Sequence, residues 1–397
     1  EPSSHPRYRG SISIDLGRMN RVIEIDHLSR AARIQAGMLG PDLESGLRSH
    51  GLTLRHYPQS FEFSTLGGWI ATRSAGHFAT GPTHIDELVE AVRVATPSGV
   101  IETRRLPGDG AGPSPERLFI GSEGAFGVIT EAWVRIFERP RFRAKASVRF
   151  PHVASGLRAV RALAQSGLTP SNCRLLDPLE AMMNGAAGGD AAVLMLAFES
   201  ADHALDAWMA RAAELCRDHA GSVPDKALHT RHEDASTRDA AEGAWRDAFL
   251  RAPYLRDALV ARGIFVETFE TAITWDKFDA LHARVVQAAR DAAETKALVS
   301  CRITHAYPDG AAPYFTVVAP ARADGELSQW LAVKTAITDA MLAEGGTTTH
   351  HHAVGRDFRP WYEQQVPTLL RSSLEAVKRQ LDPSSILNPG VLLPEAD

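Results

Sequence analysis

The chain has 397 residues, a formal net charge of −5, 44% hydrophobic residues and 23% charged residues. This length accommodates two domains, and the composition is ordinary for a globular protein. The mild negative charge disfavours nucleic acid as the main partner. No apolar run approaches the ~18 residues that a membrane-spanning helix needs. The three cysteines form no C-x-x-C pair that would indicate a zinc cluster or a disulfide framework, so we expect a reducing, cytoplasmic location and no bound metal.

The first third of the chain alternates apolar runs with turns. Residues 11–16 alternate apolar and polar side chains and predict a strand. Residues 42–50 predict a short amphipathic helix, because two leucines lie four positions apart on one face. Residues 87–96 and 131–137 predict further strands, and the segment around Pro140 predicts a linker.

Two glycine-rich loops are the most informative local features. Residues 64–76 read STLGGWIATRSAG, and residues 121–130 read GSEGAFGVIT. Glycine lets the backbone approach a ligand closely, and free N–H groups in such turns bind anions. Ordinary tight turns would explain one such loop, whereas two of them predict a large phosphorylated cofactor. Neither loop matches the Rossmann or the P-loop pattern, which disfavours a nicotinamide or ATP site.

Both loops resemble the FAD-binding domain of the vanillyl-alcohol oxidase flavoproteins, in which Ser-Thr-x-Gly-Gly and Gly-Ser-Glu-Gly-x-x-Gly-x-Ile-Thr line the flavin. The resemblance implies FAD as the cofactor. In that family a glycine-rich pyrophosphate-binding loop precedes the strand that corresponds to residues 11–16. Residues 1–10 contain no such loop, so we expect this chain to begin inside the flavin domain. The resemblance assigns the following residues to the cofactor site: Gln59, Ser60, Phe61, Glu62, Phe63, Ser64, Thr65, Gly67, Gly68, Thr72, Arg73, Ser74, Ala75, Gly121, Ser122, Glu123, Gly124, Ala125, Phe126, Gly127, Val128 and Ile129.

The pattern changes near residue 143. Strand-like runs alternate with helical segments and contain few hairpin turns, which predicts an antiparallel sheet covered by helices. These runs are residues 143–150, 191–198, 263–270, 297–304 and 314–319. We therefore expect an α+β fold: a partial FAD-binding domain of the vanillyl-alcohol oxidase type and an α+β cap domain. The expected boundaries are 1–140 for the FAD-binding part, 141–345 for the substrate or cap domain, and 346–397 for an active-site loop and helix returning to the flavin domain.

Four further segments complete this reading. Residues 201–219 show the helical period, with Leu205, Trp208, Met209, Ala212, Leu215 and Cys216 on one face. Residues 361–381 predict one long helix. Residues 185–189 predict a flexible loop, and residues 220–240 predict a mobile surface segment or lid.

Three consecutive histidines, His350, His351 and His352, lie inside a loop rich in glycine and threonine. Histidine titrates near neutral pH, so these side chains suit general acid–base catalysis. In a strand, His350 and His352 would share one face while His351 points away. A solvated loop or an adventitious metal site would also explain the triplet.

This loop, together with residues 301–307 (CRITHAY) and 312–315 (APYF), resembles the alkyldihydroxyacetonephosphate synthase family. The resemblance implies that FAD is used without net redox change, to exchange the acyl group of acyl-dihydroxyacetone phosphate for a fatty alcohol in ether lipid synthesis. It implies active-site roles for the three histidines, an acid–base role for Tyr314, and substrate binding by Arg256, which would hold the phosphate, and by Arg174 and Arg302. Arginine donates paired hydrogen bonds to a phosphate, whereas a phenol with a pKa near 10 needs charged neighbours to exchange protons at neutral pH.

Two other functions remain open from the sequence. Residues 384–390 (SSILNPG) and the glycine loops are shared with D-lactate and glycolate dehydrogenases, which favours a flavoenzyme that oxidises a 2-hydroxy acid. The missing pyrophosphate loop motivates a non-catalytic remnant. The expected partners are a phosphorylated lipid substrate, a membrane surface contacted peripherally and a second copy of the chain in a homodimer, with no nucleic acid. Taken singly, Tyr314 would be a core tyrosine and Arg256 a surface charge.

Overall fold

The computed structural model describes residues 9–183, 185, 190–223, 229–232 and 256–395. The chain divides into two compact units. The first comprises Glu1–Gly76, His84–Arg139 and His351–Asp397, and the second comprises His77–Thr83 and Pro140–His350. Both units combine helices with antiparallel sheet, so the predicted α+β class is confirmed. None of the helices in the described ranges combines the length and apolar character that a bilayer crossing requires.

The first unit is built on a five-stranded antiparallel sheet in the order β1-β2-β6-β4-β5, beside a two-stranded sheet of β3 and β7. The strands are β1 (Val22–Asp26), β2 (Ala31–Gln35), β3 (Leu52–Thr53), β4 (Val89–Thr96), β5 (Gly99–Glu102), β6 (Val128–Arg135) and β7 (Phe137–Glu138). The helices are α1 (Gly40–Arg48) and α2 (Leu66–Thr72), with single 3₁₀ turns at Ile85–Glu87 and Pro115–Leu118. The predicted amphipathic helix is α1, which buries Leu43 and Leu47 in the core as their spacing indicates.

The strand predicted over residues 11–16 is wrong. These residues have no strand structure, and the first strand begins at Val22. Ile12 and Ile14 are 93% and 60% exposed, and on the apolar side of the alternation Leu16 alone packs against the core. Alternation predicts a strand only where a neighbouring strand satisfies its N–H and C=O groups and a core covers its apolar side.

The second unit contains an antiparallel sheet in the order β11-β8-β10-β9-β14-β15-β12, with β13 pairing with β15. Its strands are β8 (Phe142–Phe150), β9 (Asn172–Leu176), β10 (Ala192–Ser200), β11 (His229–His232), β12 (Ile264–Glu270), β13 (Ile273–Thr274), β14 (Leu298–Ala306) and β15 (Gly310–Pro320). Its helices are α3 (Val153–Gln165), α4 (Pro178–Met183), α5 (Asp206–Arg217), α6 (Phe278–Ala292) and α7 (Glu326–Ala343). The five predicted strand runs correspond to β8, β10, β12, β14 and β15. The predicted loop at 185–189 and the predicted mobile segment at 220–240 lie largely outside the described residues.

The two faces of this sheet differ in chemistry. On one face, Cys173, Leu175, Cys301, Phe269 and Phe315 pack with apolar residues of α3, α5, α6 and α7 in one hydrophobic core. Side chains alternate along a strand and directly paired residues share a face. The register pairs Arg302 with Tyr314, and Tyr314 with Glu270. The opposite face therefore carries these three residues, Thr268 and Arg174, and we call it the polar face.

The C-terminal segment forms two helices of the first unit, α8 (Arg359–Gln365) and α9 (Thr368–Leu381). The single helix predicted over residues 361–381 is wrong, because Val366 is extended and Pro367 follows it. A proline disfavours helical geometry at the residue before it and has no N–H to continue the helix.

A buried ion pair fixes the tail after α9. The Nζ of Lys378 lies 2.7 Å from Oδ2 of Asp382, which has no solvent exposure, and also donates to the carbonyl of Ala125. Asp382 accepts the N–H groups of Ile386 and Leu387 at 3.1 and 2.8 Å. Burial would raise the pKa of Asp382, but Lys378 and these N–H donors outweigh burial and lower that pKa. This network holds the tail against the loop that contains Ala125.

We expect Asp382→Ala to lower the free energy of unfolding of the protein by about 3–5 kcal/mol, because it leaves the ammonium of Lys378 without its counter-charge and two N–H groups without their acceptor. Urea unfolding measures the change. The control is Glu375→Gln in α9, the helix that precedes Asp382; its partner Arg371 is 3.8 Å away, and both side chains are a third exposed. That variant should lose no more than about 0.5 kcal/mol. Equal losses in the two variants would contradict the role of Asp382.

Candidate functional site

In the first unit, the Ser-Thr-x-Gly-Gly motif forms the start of α2. The hydroxyl of Thr65 accepts the N–H of Gly68 at 3.3 Å and caps the helix. The hydroxyl of Ser64 accepts the indole N–H of Trp69 at 2.7 Å and donates to the carbonyl of Ser60. These hydroxyls shape the turn itself. A Cβ on Gly67 would lie 2.7 Å from the Cβ of Ala36, so this position requires glycine, while Gly68 is exposed.

The second glycine loop has a packed side and an open side. Ser122, Ala125 and Phe126 are buried, whereas Gly121, Glu123 and Gly124 are partly exposed. Gly121 and Gly124 both have φ of +79°, a left-handed conformation that favours glycine. The open side therefore presents backbone without side-chain bulk. This arrangement fits a large cofactor that lies against main chain.

Glu123 holds this loop to two later segments of the same unit. Its carboxylate accepts the N–H groups of Val354 and Gly355, both at 2.7 Å, directly after the histidine triplet. Its carbonyl accepts an N–H from the side chain of Asn388 in the C-terminal tail. Burial raises the pKa of Glu123, although the two backbone donors act in the opposite direction. Glu123 thus orders three segments around the open side of the loop.

The other residues predicted to bind the cofactor lie around α2. The ring of Phe61 stacks on Trp69 with centroids 6.0 Å apart, Phe63 is exposed, and residues 59–63 form turns. Arg73 ends α2 with left-handed geometry and pairs with Asp86 at 3.0 Å. The remaining members are Gln59, Ser60 and Glu62 in the turn, Thr72 in α2, Ser74 and Ala75 after it, Gly127 before β6, and Val128 and Ile129 in β6.

In the second unit, Tyr314 lies on the polar face under an arginine. The Cζ of Arg302 is 4.0 Å from the centroid of the phenol ring, a cation–π contact. Burial raises the pKa of Tyr314, while Arg302 and a hydrogen bond with Thr268 lower it and do not overcome burial. Arg302 also forms an ion pair with the buried carboxylate of Glu180. The charged neighbour that sequence reasoning required for Tyr314 is therefore Arg302.

Arg174 is buried on the same polar face. Its side chain is 1% exposed, its Nη2 donates to the carbonyl of His77 at 2.9 Å, and its Nη1 lies 3.2 Å from Nδ1 of that histidine. Burial, followed by the charge of Arg302, lowers the pKa of Arg174 to about 9. A desolvated guanidinium of this kind is costly, and an anionic ligand would offset the cost.

Arg256 lies in a helical segment before β12 and contacts that strand. Its Nη2 is 3.0 Å from a carboxylate oxygen of Glu267, and its Nε donates to the carbonyl of Val266. Glu267 also accepts the indole N–H of Trp330 in α7, on the helix-covered face. The structure thus brings Arg174, Arg302 and Tyr314 to one face and holds Arg256 at Glu267.

The histidine triplet is a bend and not a strand, so strand alternation does not apply to it. His350 belongs to the second unit, where its Nε2 lies 2.7 Å from the hydroxyl of Tyr307 and its backbone N–H is held by Glu270. His351 and His352 belong to the first unit, with ring centroids 4.7 Å apart in an edge-to-face pair. Sequence reasoning did not single out Tyr307 and Glu270, which both contact His350. The available signals were the tyrosine inside the CRITHAY motif and a carboxylate inside an apolar strand.

Comparison with known proteins identifies the family. Residues 139–392 match the family described as FAD linked oxidases, C-terminal domain, and residues 2–104 match the FAD binding domain. The chain belongs to the FAD-linked oxidase family. It is an FAD-dependent enzyme, and the two glycine loops, whose open backbone fits a large cofactor, agree with this assignment.

Several proteins that are similar to this chain share the name alkyldihydroxyacetonephosphate synthase. The chain is 31% identical to alkyldihydroxyacetonephosphate synthase of Trypanosoma brucei brucei and 29% identical to that of Dictyostelium discoideum; each match covers 99% of this chain and 67% of the relative. A solved structure of an alkyldihydroxyacetonephosphate synthase matches with a TM-score of 0.78 and 25% identity, over 98% of this chain and 68% of that one. A more distant relative is the glycolate oxidase subunit GlcD of Bacillus subtilis, 25% identical over 96% of this chain and 79% of the relative. The predicted family resemblance is confirmed.

We expect Gly124→Val to lower the ratio of bound FAD to protein strongly, because a branched side chain would cover the open backbone and oppose the left-handed geometry. Flavin absorbance against protein absorbance measures the ratio. Gly167→Val is the matched control, since Gly167 has the same φ of +79° and lies in the second unit with no atom near its added Cβ. Normal flavin content in Gly124→Val would argue against contact between this loop and FAD.

A buried histidine beside the first loop predicts a loss of stability in acid. Burial, followed by the charge of His84, lowers the pKa of His56 to about 3, and its Nε2 lies 2.9 Å from the hydroxyl of Ser74. The unfolded chain binds a proton near pH 6.5 that the folded chain excludes, so stability is present above pH 6.5 and decreases as pH falls toward 3. Because of this histidine, the free energy of unfolding should be about 2 kcal/mol lower at pH 5 than at pH 7.

Urea unfolding at the two pH values measures this difference for the wild type and for His56→Gln. His56→Gln should lose most of the difference in unfolding free energy between pH 7 and pH 5 that is due to His56. The control is His27→Gln, at an exposed histidine, which should retain that difference. A pH difference that is the same in His56→Gln and the wild type would refute the assignment.

Proposed function

We propose that this chain is an FAD-dependent alkyl transferase that exchanges the acyl group of an acyl-dihydroxyacetone phosphate for a fatty alcohol. The relatives named alkyldihydroxyacetonephosphate synthase support this reaction, since they match nearly the whole chain. The observation that carries the proposal is the pair of arginines, Arg174 and Arg302, on the same sheet face as Tyr314. That face offers cationic groups for a phosphate beside a phenol for proton transfer.

The proposal divides the work between residues. Arg174 and Arg302 bind the phosphorylated substrate on the polar face, and Arg256 exchanges its contact with Glu267 for the phosphate. Tyr314 holds or releases a proton at its Oη, with the cation of Arg302 stabilising the phenolate form. His350, His351 and His352 complete the active site. Bound FAD supplies the reactive ring system at which the chains are exchanged without net redox change.

The same proposal extends to the domain level. Residues 1–140 supply the FAD contacts around residues 59–75 and 121–129, residues 141–345 form the substrate or cap domain, and residues 346–397 supply the histidine loop. A lipid substrate favours peripheral contact with a membrane, and we propose a homodimer as the working unit. Flotation with phospholipid vesicles and sedimentation of the FAD-loaded chain test these two points.

The test of the reaction uses the FAD-loaded chain with palmitoyl-dihydroxyacetone phosphate and radiolabelled hexadecanol, and it measures the labelled ether lipid. We expect Tyr314→Phe to retain KM and lower kcat by about 10²–10⁴, because it removes a group that transfers a proton in the transition state. We expect Arg256→Leu to raise KM for the phosphorylated substrate by about tenfold or more, because a phosphate ligand is lost.

Two variants control for general damage. Tyr57→Phe removes the hydroxyl of a tyrosine in the first unit. Burial raises the pKa of Tyr57 to about 12, as burial also raises that of Tyr314. In Arg284→Leu, the lost guanidinium is paired with Glu344 on the surface of α6. Both should leave kcat and KM near the wild-type values. Unchanged kinetics in Tyr314→Phe and Arg256→Leu would remove the basis of the proposed roles.

A second candidate function is oxidation of a 2-hydroxy acid such as D-lactate or glycolate. The similarity to the GlcD subunit and the tail at residues 384–390, which Lys378 and Asn388 tie to the second glycine loop, favour it. Anaerobic bleaching of the flavin absorbance by D-lactate, with no labelled ether lipid formed, would select this function over the transferase.

A further inference from the structure

A row of three contacting side chains leads from a buried carboxylate on the polar face of the second unit to a partly exposed tyrosine. Oε2 of the buried Glu270, at the end of β12, lies 3.6 Å from Nδ1 of His350. On the other side of that imidazole, Nε2 lies 2.7 Å from the hydroxyl of Tyr307. Exposure rises along the row: the side chain of Glu270 is 1% exposed, that of His350 is 5% exposed, and Tyr307 is half-buried.

Glu270 orients this imidazole through the main chain as well. Both of its carboxylate oxygens lie 2.9 Å from the backbone nitrogen of His350, and one of them accepts the hydroxyl of Thr349. Tyr307 is fixed in the three-residue turn between β14 and β15, where its N–H donates to the carbonyl of Gly310 at 2.8 Å. Both neighbours of His350 are therefore held by the sheet.

We propose that Glu270, His350 and Tyr307 form a proton relay, in which the hydroxyl of Tyr307 accepts the proton of the substrate alcohol. This inference rests on the proposed function, and it assigns the base that prepares the alcohol for attack. The alcohol O–H bond breaks, and its oxygen uses that electron pair to form the new ether bond to the carbon of dihydroxyacetone phosphate that carried the acyl group. The bond from that carbon to the acyl oxygen breaks, and the fatty acid leaves as a carboxylate with the bonding pair. The proton passes to Oη of Tyr307, the proton of Tyr307 passes to Nε2 of His350, and the carboxylate of Glu270 balances the resulting imidazolium charge.

The geometry explains why a carboxylate occupies the buried end. A proton on Nδ1 faces the carboxylate, which leaves Nε2 as an acceptor for the phenol O–H. A negative charge within 4 Å stabilises the imidazolium that forms during transfer. A phenol alone is a poor base near neutral pH because it ionises near pH 10, whereas a phenol that gives its own proton to an imidazole need not be ionised beforehand. In this relay Tyr307 contacts the substrate alcohol and is the catalytic residue, whereas His350 and Glu270 are positioning residues that act through Tyr307.

The alternative is that the row only anchors the histidine loop, and kinetics of conservative variants separate the two roles. Tyr307→Phe keeps the ring and should lower kcat for chain exchange by about 10²–10⁴, with KM for the alcohol within about twofold of wild type. Glu270→Gln keeps an acceptor for Thr349 and for the N–H of His350 but loses the charge, and it should lower kcat about tenfold or more.

Glu44→Gln is the matched control. Glu44 is buried in the first unit and accepts a threonine hydroxyl, from Thr53, and a backbone N–H, from Leu54, at 2.9 and 3.0 Å, as Glu270 does on the polar face. It should retain the wild-type kcat. A kcat for Tyr307→Phe within twofold of wild type, or equal losses in Glu270→Gln and Glu44→Gln, would overturn the relay.

A second readout needs no substrate. In the protein with ¹⁵N-labelled histidine at one fixed pH, the ring signals that disappear in His350→Gln belong to His350. We expect these signals to report a proton on Nδ1 and to shift in Glu270→Gln and in Tyr307→Phe, while Glu44→Gln leaves them unchanged. If the ring ¹⁵N signals of His350 did not shift in Glu270→Gln, the relay would be overturned, independently of which reaction the protein catalyses.

This design separates the relay from the proposed function. If the wild type forms no ether lipid but its flavin is bleached by D-lactate, the transferase proposal fails. The relay then predicts slower bleaching in Tyr307→Phe and Glu270→Gln, since the hydroxyl of a 2-hydroxy acid must also lose a proton. Bleaching at the wild-type rate in both variants would refute the relay in that case.

Discussion

The antiparallel register of β12, β15, β14 and β9 is the constraint on which the candidate site of the second unit depends. It pairs Arg302 with Tyr314 and Tyr314 with Glu270, so that three polar side chains share one face while their neighbours enter the core. A slip of one residue in β15 would turn Phe315 toward the polar face and Tyr314 into the hydrophobic core. The apolar packing of the helices on the sheet therefore fixes the positions of the ionisable groups as firmly as their own hydrogen bonds do.

In the first unit, by contrast, the second glycine loop has exposed backbone that hydrogen bonds hold in place. This loop contains left-handed residues. Glu123 in the loop accepts N–H groups of Val354 and Gly355, and Lys378 from later in the chain donates to the carbonyl of Ala125. Charged side chains are used because one carboxylate can accept two N–H groups and one ammonium can donate to several carbonyls. The cost of burying these charges is visible in the raised pKa of Glu123.

Sequence reasoning succeeded where the signal was local. The glycine motifs identified the FAD family, alternation located β8, β10, β12, β14 and β15, and leucine spacing located α1. It failed at residues 11–16, where alternation had no partner strand, and at Pro367, whose effect on a helical pattern was overlooked. The contact of Glu270 with His350 joins residues 80 apart and depends on strand register, which one sequence does not specify. The roles given to Tyr314, the arginines and the histidines stay predictions.

The contact between Arg256 and β12 also affects how readily the protein aggregates. In the described part of the chain, β12 is the last strand in the order of its sheet, and Arg256 places a positive charge and two hydrogen bonds on it, at Val266 and Glu267. Terminal strands present unpaired backbone groups to other chains, and charged side chains discourage such pairing. An arginine at this position therefore opposes edge-to-edge pairing of β12 with other chains and favours solubility, whatever the protein binds.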